Sequence, residues 1–555
     1  MPNREPCRTI SPALILFLLG FSPSTAPCFA QRSESHVAEG GIPVTDPLVI
    51  TKCGSCHHGD DRGNLERISW ERATPEGWQE ALKKMTAEER VALSPSEARS
   101  IVRYLAASHG LAPEEARSVM YYPEHRIHDE NEIADRALVE TCTKCHAAAR
   151  PLSWRRSLED WKQLAERHVA RYKMKPNSEA IAALGRLAPL HTPEWDAWSS
   201  RSVALNLTGR WLVSARLPGH GRYIGEMNVK PGAAPDEFTS HATLRSIADG
   251  SVLERVGQGL VFAGDAWRGR SRGINPSGTP DDPSNEAREA MWISPDQARM
   301  EGRWFWGQYQ EFGFDVTLRR PSSEPALLAI DRSSLKTGSQ GNRVRLIGDN
   351  FPAQVTPADL NFGPDIAVRR AIFQNSGEIV ADVDVAADAK PHRTDVVFRG
   401  SVLPRALAIY DQIDYLRVTP ESSLAAFGSP KYARGFQQFE AIAYQRGADG
   451  KPHTSDDLEL GPVDAAWSIE IFYSVDTSRD DAVGTVGSGG LFTPAVTGPG
   501  GNYDVWVIAT ASGEKNRTGG PLIGKGYLVV TIPEYTFNGR HYVRELNRWI
   551  EEGTW

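Results

Sequence analysis

The sequence is poor in cysteine, in long apolar runs and in net charge, and each shortage excludes a class of protein. Six cysteines among 555 residues are too few for a disulfide-built scaffold, which suits small secreted chains. The first apolar run, Ala13 to Phe21, is nine residues long, where a membrane-spanning helix needs roughly 20. No later segment is long and apolar enough to span a membrane. The net charge is −8 and the pI about 6.0, so the basic patch that meets nucleic-acid phosphates is missing. The long C-terminal portion also lacks a nucleophile motif, a zinc signature and a phosphate loop. Gly487-Ser-Gly-Gly490 is too short and irregular to cradle a dinucleotide.

What is present begins with a targeting segment. Arg4 and Arg8 precede the apolar run, and Cys28-Phe-Ala30 offers a small-x-small cleavage site before Gln31. This is the layout of a secretory signal peptide spanning 1–30. Thr25-Ala-Pro27 is a poor lipoprotein context for Cys28. The mature chain is expected in the periplasm. Its length exceeds what one hydrophobic core supports, about 250–300 residues, so several domains are expected.

Cys7 and Cys28 leave with the signal peptide. The other four cysteines form two C-x-x-C-H motifs, Cys53-Gly-Ser-Cys56-His57 and Cys142-Thr-Lys-Cys145-His146. That pattern reads as covalent c-type haem attachment. Each thiol adds to one vinyl group, and the following histidine reaches the iron as proximal ligand. A thioredoxin-like pair needs a βαβ context, absent here. A Cys₄ zinc site places its two pairs about 15–20 residues apart, far closer than Cys56 and Cys142. Two covalently bound haem c groups are therefore expected.

An internal repeat points to the sixth ligands. Ile68-Ser-Trp70 is followed by Thr74-Pro-Glu-Gly-Trp78 and then Met85. Leu152-Ser-Trp154 is followed by Ser157-Leu-Glu-Asp-Trp161 and then His168. Thr74 and Ser157 read as helix N-caps, with Pro75 at a first helical position and Ser157/Asp160 as a capping-box pattern. Met85 and His168 each lie seven residues past a tryptophan, two turns along the same face. The repeat thus offers Met85 to one iron and His168 to the other. His109, Met120, His125, His128 and His191 compete for these roles. His58 adjoins His57 and cannot reach the opposite face of the same haem. His109 ends a helix that opens with the capping box Ser94-Pro-Ser-Glu97, and its place in the last turn is attributed to the helix dipole.

Near Trp195 helical spacing gives way to short alternating strands with Gly, Pro, Asn and Asp turns, the mark of sandwiches or barrels. Trp211, Val213 and Ala215 alternate before the turn Pro218-Gly-His-Gly221, and a returning strand starts at Tyr223. Val344–Gly348 and Val505–Ile508 read likewise. Pro321–Pro325 and Thr419–Ser423 look like joints. The expected organisation is a helical dihaem domain over 31–194 followed by β domains over 195–322, 323–418 and 419–555, with a short final helix near Arg544–Glu551. The carboxylate-rich Asp449–Asp457 loop reads as a solvated turn rather than a calcium site.

These motifs, in this order, resemble the α (large) subunit of quinohaemoprotein amine dehydrogenase. The likeness runs through Cys53–His57, Arg72–Trp78, Leu93–Pro95, Val102–Leu105, Gly110–Pro113 and Cys142–His146. It continues in Gly447–Pro452, Asp456–Gly461, Gly490–Ala495 and Asp504–Val507. The resemblance implies a dihaem cytochrome c domain, a β-barrel and two immunoglobulin-like β-sandwiches. It also implies a β-propeller partner subunit and a small γ subunit carrying a quinone made from its own Trp and Cys. Primary amines are oxidised at that quinone, on another chain. This chain would pass the electrons to a soluble cytochrome c or a blue copper protein. Methionine ligation raises haem potential relative to histidine, so flow from the His146/His168 haem to the His57/Met85 haem is expected. A free-standing periplasmic electron carrier with β docking domains is the alternative. A dihaem peroxidase is a weaker one, because both sixth-ligand slots have a candidate.

Overall fold

The computed structural model describes residues 40–116, 135–142, 149–172, 175, 177–201, 204–308, 310–430, 432–474, 483–496, 498 and 501–532. The signal peptide, Met120, His125, His128, Cys145, His146 and the expected Arg544–Glu551 helix lie outside them. Apart from Gly40, all described residues fall in one compact unit, Gly41–Trp555.

The helical region contains α1 (Pro47–Cys53), α2 (Pro75–Glu88), α3 (Pro95–Ser108), α4 (Pro113–Ala116), α5 (Arg136–Cys142), α6 (Ala149–Leu152), α7 (Leu158–Tyr172), α8 (Ser178–Gly185) and α9 (Pro193–Ser199). Side-chain caps start these helices where the sequence predicts. Thr74 accepts from the Gly77 amide at 3.2 Å, and Ser94 with Glu97 closes a full capping box. The Asp160 amide donates to the Ser157 hydroxyl at 3.1 Å. Each cap satisfies amides that the first helical turn leaves without partners.

Two short strands, β1 (Glu71–Ala73) and β2 (Trp154–Arg156), pair antiparallel, with Glu71 opposite Arg156 and Arg72 opposite Arg155. Counted back from the caps Thr74 and Ser157, Arg72 corresponds to Arg155, and the two face each other with Glu71 and Ala73 on either side opposite Arg156 and Trp154, as a local twofold axis demands. The repeat read from sequence is a pair of units joined across a β-ribbon.

Beyond α9, eight consecutive antiparallel strands, from Gly209–Leu217 to Phe312–Arg319, close into a barrel. Closure comes from the last strand pairing with the first, Asp315 opposite Arg216. Alternation along each strand sends Trp211, Trp267, Trp304, Phe314 and Met291 into one aromatic core. The Trp267 ring lies against Gly259, where a Cβ would come within 2.2 Å of it, so that position needs glycine. The barrel interior is filled by side chains, as expected for eight strands.

Two four-stranded sheets follow over residues 326–410 and share one core built on Leu346, Phe362, Val383 and Phe398. The last region holds one four-stranded and two three-stranded sheets around Phe427, Phe439, Tyr503 and Val507. Arginines lock these regions together. Arg216 pairs with Glu440, and Arg210 meets Asp349 at 2.7 Å. The helical region is anchored to the barrel the same way. Arg103 meets Asp236 at 2.8 Å and Glu237 at 3.0 Å, Arg268 pairs with Glu76, and Asp265 receives Trp198 Nε1 and Arg201. No helix among the described residues is long and apolar enough to cross a membrane.

Candidate haem sites

The first site grows from the end of α1. Asp46 caps this helix through the Val49 amide at 3.0 Å, and Pro47 takes the first position. The helix stops at Cys53, and the amides of Cys56 and His57 both return to its carbonyl, at 3.1 and 2.9 Å. One tight turn thus holds both thiols and the imidazole. Cys53 and Cys56 are free of any disulfide. Burial, and then the neighbouring Cys56, push the Cys53 thiol above its ordinary range. A redox or nucleophilic cysteine needs the opposite shift, which argues against a catalytic dithiol.

The imidazole of His57 is oriented. Its Nδ1 lies 2.8 Å from the Glu66 carbonyl oxygen. A carbonyl only accepts, so Nδ1 carries the proton and Nε2 keeps its lone pair for a metal. Iron-ligating histidines are commonly fixed in this way. Nothing in the sequence signals it, because the partner is a backbone atom.

Met85 occupies α2 on the same face as the buried Trp78 and the partly buried Ala81 and Leu82. It is half-buried. Leu48, Cys53 and Leu93 border the same cluster and are also only partly covered. Two unpaired thiols, a free Nε2, a thioether and an incompletely covered apolar margin fit a covalently attached haem.

The second site has its counterpart parts on α5 and α7. Cys142 is the last residue of α5 and packs at the edge of a cluster formed by Leu138, Trp161, Ala183 and Leu184. On α7, Trp161 is buried and Leu164 partly so, and His168 follows on that face. His168 Nδ1 lies 2.8 Å from the Leu164 carbonyl, so this imidazole too keeps Nε2 for a metal. Burial, opposed by that hydrogen bond and aided by Arg167, Lys84 and Arg150, holds its pKa below the ordinary value. It therefore stays neutral and able to ligate.

His109 is no competitor. It is fully buried, with Nδ1 2.8 Å from Ser108 Oγ and Nε2 3.1 Å from the Ile42 carbonyl. Both ring nitrogens are engaged. The helix-dipole account is corrected here. A dipole would favour the charged ring, whereas burial pushes the His109 pKa down to about 4. His191 sits 3.2 Å from Asp196 and against Trp195.

Sequence reasoning missed the buried knot between the units. Arg72 grips Glu115 with both terminal nitrogens, at 2.6 and 2.9 Å, and lies over the Trp195 ring. Arg155 reaches the same carboxylate at 3.4 Å. Burial alone would raise the Glu115 pKa, but Arg72 holds it below the ordinary range. Trp154 crosses the ribbon to meet Trp78 edge-on, 5.4 Å between ring centres. In the Asp449–Asp457 loop, Asp457 accepts from Tyr415, Gly447 and Thr454, and Asp456 from Asp449 and Thr454. These carboxylates serve the turn itself.

A helical, C-x-x-C-H-bearing region on a barrel and further β-sheets defines a haem-binding electron-transfer class. Family models match in the same order: the quinohemoprotein amine dehydrogenase alpha subunit haem-binding region over 44–187, its domain II over 204–321, domain III over 324–411 and domain IV over 416–540. The chain belongs to the quinohemoprotein amine dehydrogenase alpha subunit family. No curated protein sequence matches it. Among solved structures, a redesigned β-barrel is 17% identical over 21% of this chain and 92% of its own, with a TM-score of 0.17. Human protocadherin-24 is 12% identical over 38% of this chain and 98% of its own, again with a TM-score of 0.17.

Proposed function

We propose that this chain is the dihaem electron-transfer subunit of a periplasmic amine dehydrogenase. Cys53 and Cys56 hold one haem c, with His57 and Met85 as iron ligands. Cys142 and Cys145 hold the other, with His146 and His168. When bound, these groups supply one-electron storage and release. The residues of this chain fix their ligands, exclude water and set their relative affinity for electrons. Thioether ligation by Met85 makes the first site the better electron acceptor. The observation that carries the reading is the orientation of two imidazoles, His57 beside the first motif and His168 on α7, each with Nδ1 tied to a carbonyl at 2.8 Å and Nε2 left to ligate.

The amine-oxidising quinone belongs to a small γ partner, held with a β-propeller subunit, and the acceptor is a soluble cytochrome c or blue copper protein. The barrel and two immunoglobulin-like sandwiches, over 195–322, 323–418 and 419–555, serve as the frame for that assembly. Residues 1–30 direct export and are removed.

Met85→Ala tests the ligand set. The near-infrared sulfur-to-iron charge-transfer band should vanish and one of two potentials should fall, while His168→Ala should leave the band intact. A band that survives Met85→Ala rejects Met85 as ligand. The purified chain should carry two haems and show no amine oxidation alone. Turnover without partners would reject the subunit reading. A monomer that serves amine-oxidising subunits only by transient collision would favour the free carrier.

A further inference from the structure

Residues 57–66 form a loop whose two ends meet at the first site, His57 Nδ1 lying 2.8 Å from the Glu66 carbonyl. Its backbone closes like a hairpin. The Glu66 amide donates to the His58 carbonyl at 3.0 Å and the Asp60 amide to the Asn64 carbonyl at 2.9 Å, with Gly59 and Leu65 bridged between them. Toward the tip the Asp60 carboxylate takes three donors: the Arg62 amide at 2.9 Å, the Asn64 amide at 2.8 Å and Asn64 Nδ2 at 2.8 Å. The bonds from the Asn64 side chain and then its amide hold the Asp60 carboxyl below its ordinary range, so the carboxylate is ionised at neutral pH and the bonds are charge-assisted. Asn64 itself is buried, at 5% exposure.

The far end of the loop is strained. The Ile68 amide bonds the Glu66 carbonyl at 2.8 Å across Arg67, which sits at φ 64° and ψ −51°. A bond from i to i+2 over such a residue makes the rare form of γ-turn, disfavoured for a side chain with a Cβ. It persists only where its surroundings over-determine it. On one side stands the Asp60–Asn64 staple. On the other stands Ser69, whose hydroxyl accepts the Leu65 amide at 2.9 Å and whose carbonyl accepts the Ile42 amide at 2.8 Å. The turn decides where one oxygen points, and the Glu66 carbonyl points at His57.

A hydrogen bond at Nδ1 makes Nε2 a stronger donor to a metal, which favours ferric iron and lowers its potential. His168 obtains its bond from Leu164, one turn back on its own helix, and depends on no such loop.

Resting on the haem reading above, we propose that Asp60 and Asn64 are positioning residues of the first site: their staple holds the Glu66 carbonyl on His57 and thereby lowers the potential of that haem.

Redox titration of the full, haem-loaded chain tests this. Removing a negative charge alone also raises a potential, so charge and hydrogen bonding must be separated. Asp60→Ala removes both. Asp60→Asn removes the charge but keeps an acceptor for the two amides. Asn64→Ala removes one bond and no charge, and it covers the case where Asp60→Ala fails to fold. Asp60→Ala should raise one of the two potentials, Asn64→Ala should raise the same one by less, and Asp60→Asn should fall between Asp60→Ala and the parent. The other potential should stay. Deuterium exchange of the His57 Nδ1 proton, followed by NMR in the reduced chain, should quicken several-fold in Asp60→Ala. Equal shifts in Asp60→Ala and Asp60→Asn with none in Asn64→Ala would reduce the effect to charge and overturn the proposal. Equal movement of both potentials would overturn it too. The haem reading fails by a different measurement: a parent peptide carrying Cys53 and Cys56 with no haem mass attached would sink that reading and this inference with it.

Discussion

In the first repeated unit the Met85-bearing helix α2 packs, among the described residues, with Val49, Leu65, Ile101 and Leu105, with the 14-residue α3 behind it. In the second, the His168-bearing helix α7 packs, among the described residues, with Leu138, Ala183 and Leu184, with the 8-residue α8 behind it. The two units still agree in detail. Ser69 and Ser153 each turn their amide back to the carbonyl four residues earlier, Leu65 and Ala149. The geometry that presents Met85 and His168 is thus shared: in both units the helix starts at a side-chain cap and carries a buried tryptophan seven residues before the candidate ligand.

The largest expected effect comes from removing what the units share. Glu115 takes both Arg72 and Arg155 and also the Ala112 amide at 2.9 Å. Deleting one partner of a buried pair leaves an uncompensated charge and costs about 3–5 kcal/mol. Glu115→Ala should lower the unfolding free energy of the haem-loaded chain, read from urea titration, by that amount. Absorbance of the two haems, followed during unfolding, then asks whether the units come apart together. If Glu115→Ala changes the unfolding free energy by less than about 1 kcal/mol, the ribbon is held by the Trp78–Trp154 contact instead.

A second effect separates the units by pH. Burial, and then Arg72 against the opposing Ile42 hydrogen bond, lowers the His109 pKa from 6.5 to about 4. Between those values the unfolded chain binds a proton that the folded chain refuses, so stability rises with pH there. The contribution is complete above pH 6.5 and is lost as pH falls toward about 4. Its full size is about 3 kcal/mol at about 1.4 kcal/mol per pKa unit. His109→Gln should flatten the acid limb of stability against pH, read as urea midpoints from pH 7 to 4. The change should centre on the first unit, because His109 packs against Trp78. An unchanged slope would mean that His109 does not titrate in that window.

The contrast between the units also marks how far the sequence could be read. Caps, tryptophan spacing and the hairpin at Pro218–Gly221 are local, and local chemistry decides them. The strands Gly209–Leu217 and Gly221–Pro231 fall where alternation puts them, and α2 and α7 begin at their predicted caps. Closure of the barrel is not local. It rests on Asp315 meeting Arg216, and no pattern within either strand announces that pairing. The Arg72–Glu115 knot is invisible for the same reason, since two charged residues far apart in sequence read as solvated. His109 was misread because position in a helix was weighed without knowing what packs over its end. Met85 and His168 stand out among the other candidates only because the repeat aligns them.

The smallest effect isolates one hydrogen bond. Trp78 donates its indole N–H to the His109 carbonyl at 2.9 Å. Its counterpart Trp161 is just as buried, yet its Nε1 has no partner among the described residues. Replacing either tryptophan by phenylalanine removes similar volume, so the packing losses should nearly cancel in a comparison. Trp78→Phe in addition gives up this bond, while the His109 carbonyl keeps its second donor, the Ala73 amide at 3.0 Å, so the loss costs about 0.5–1.5 kcal/mol. Trp161→Phe instead deletes a donor that is costly to keep buried and unpaired. Trp78→Phe should therefore be the more destabilising by about 1 kcal/mol, measured as the difference in unfolding free energy from urea titrations at pH 7. Equal losses would mean that Trp161 Nε1 is bonded after all, and the two units would be alike in one more respect.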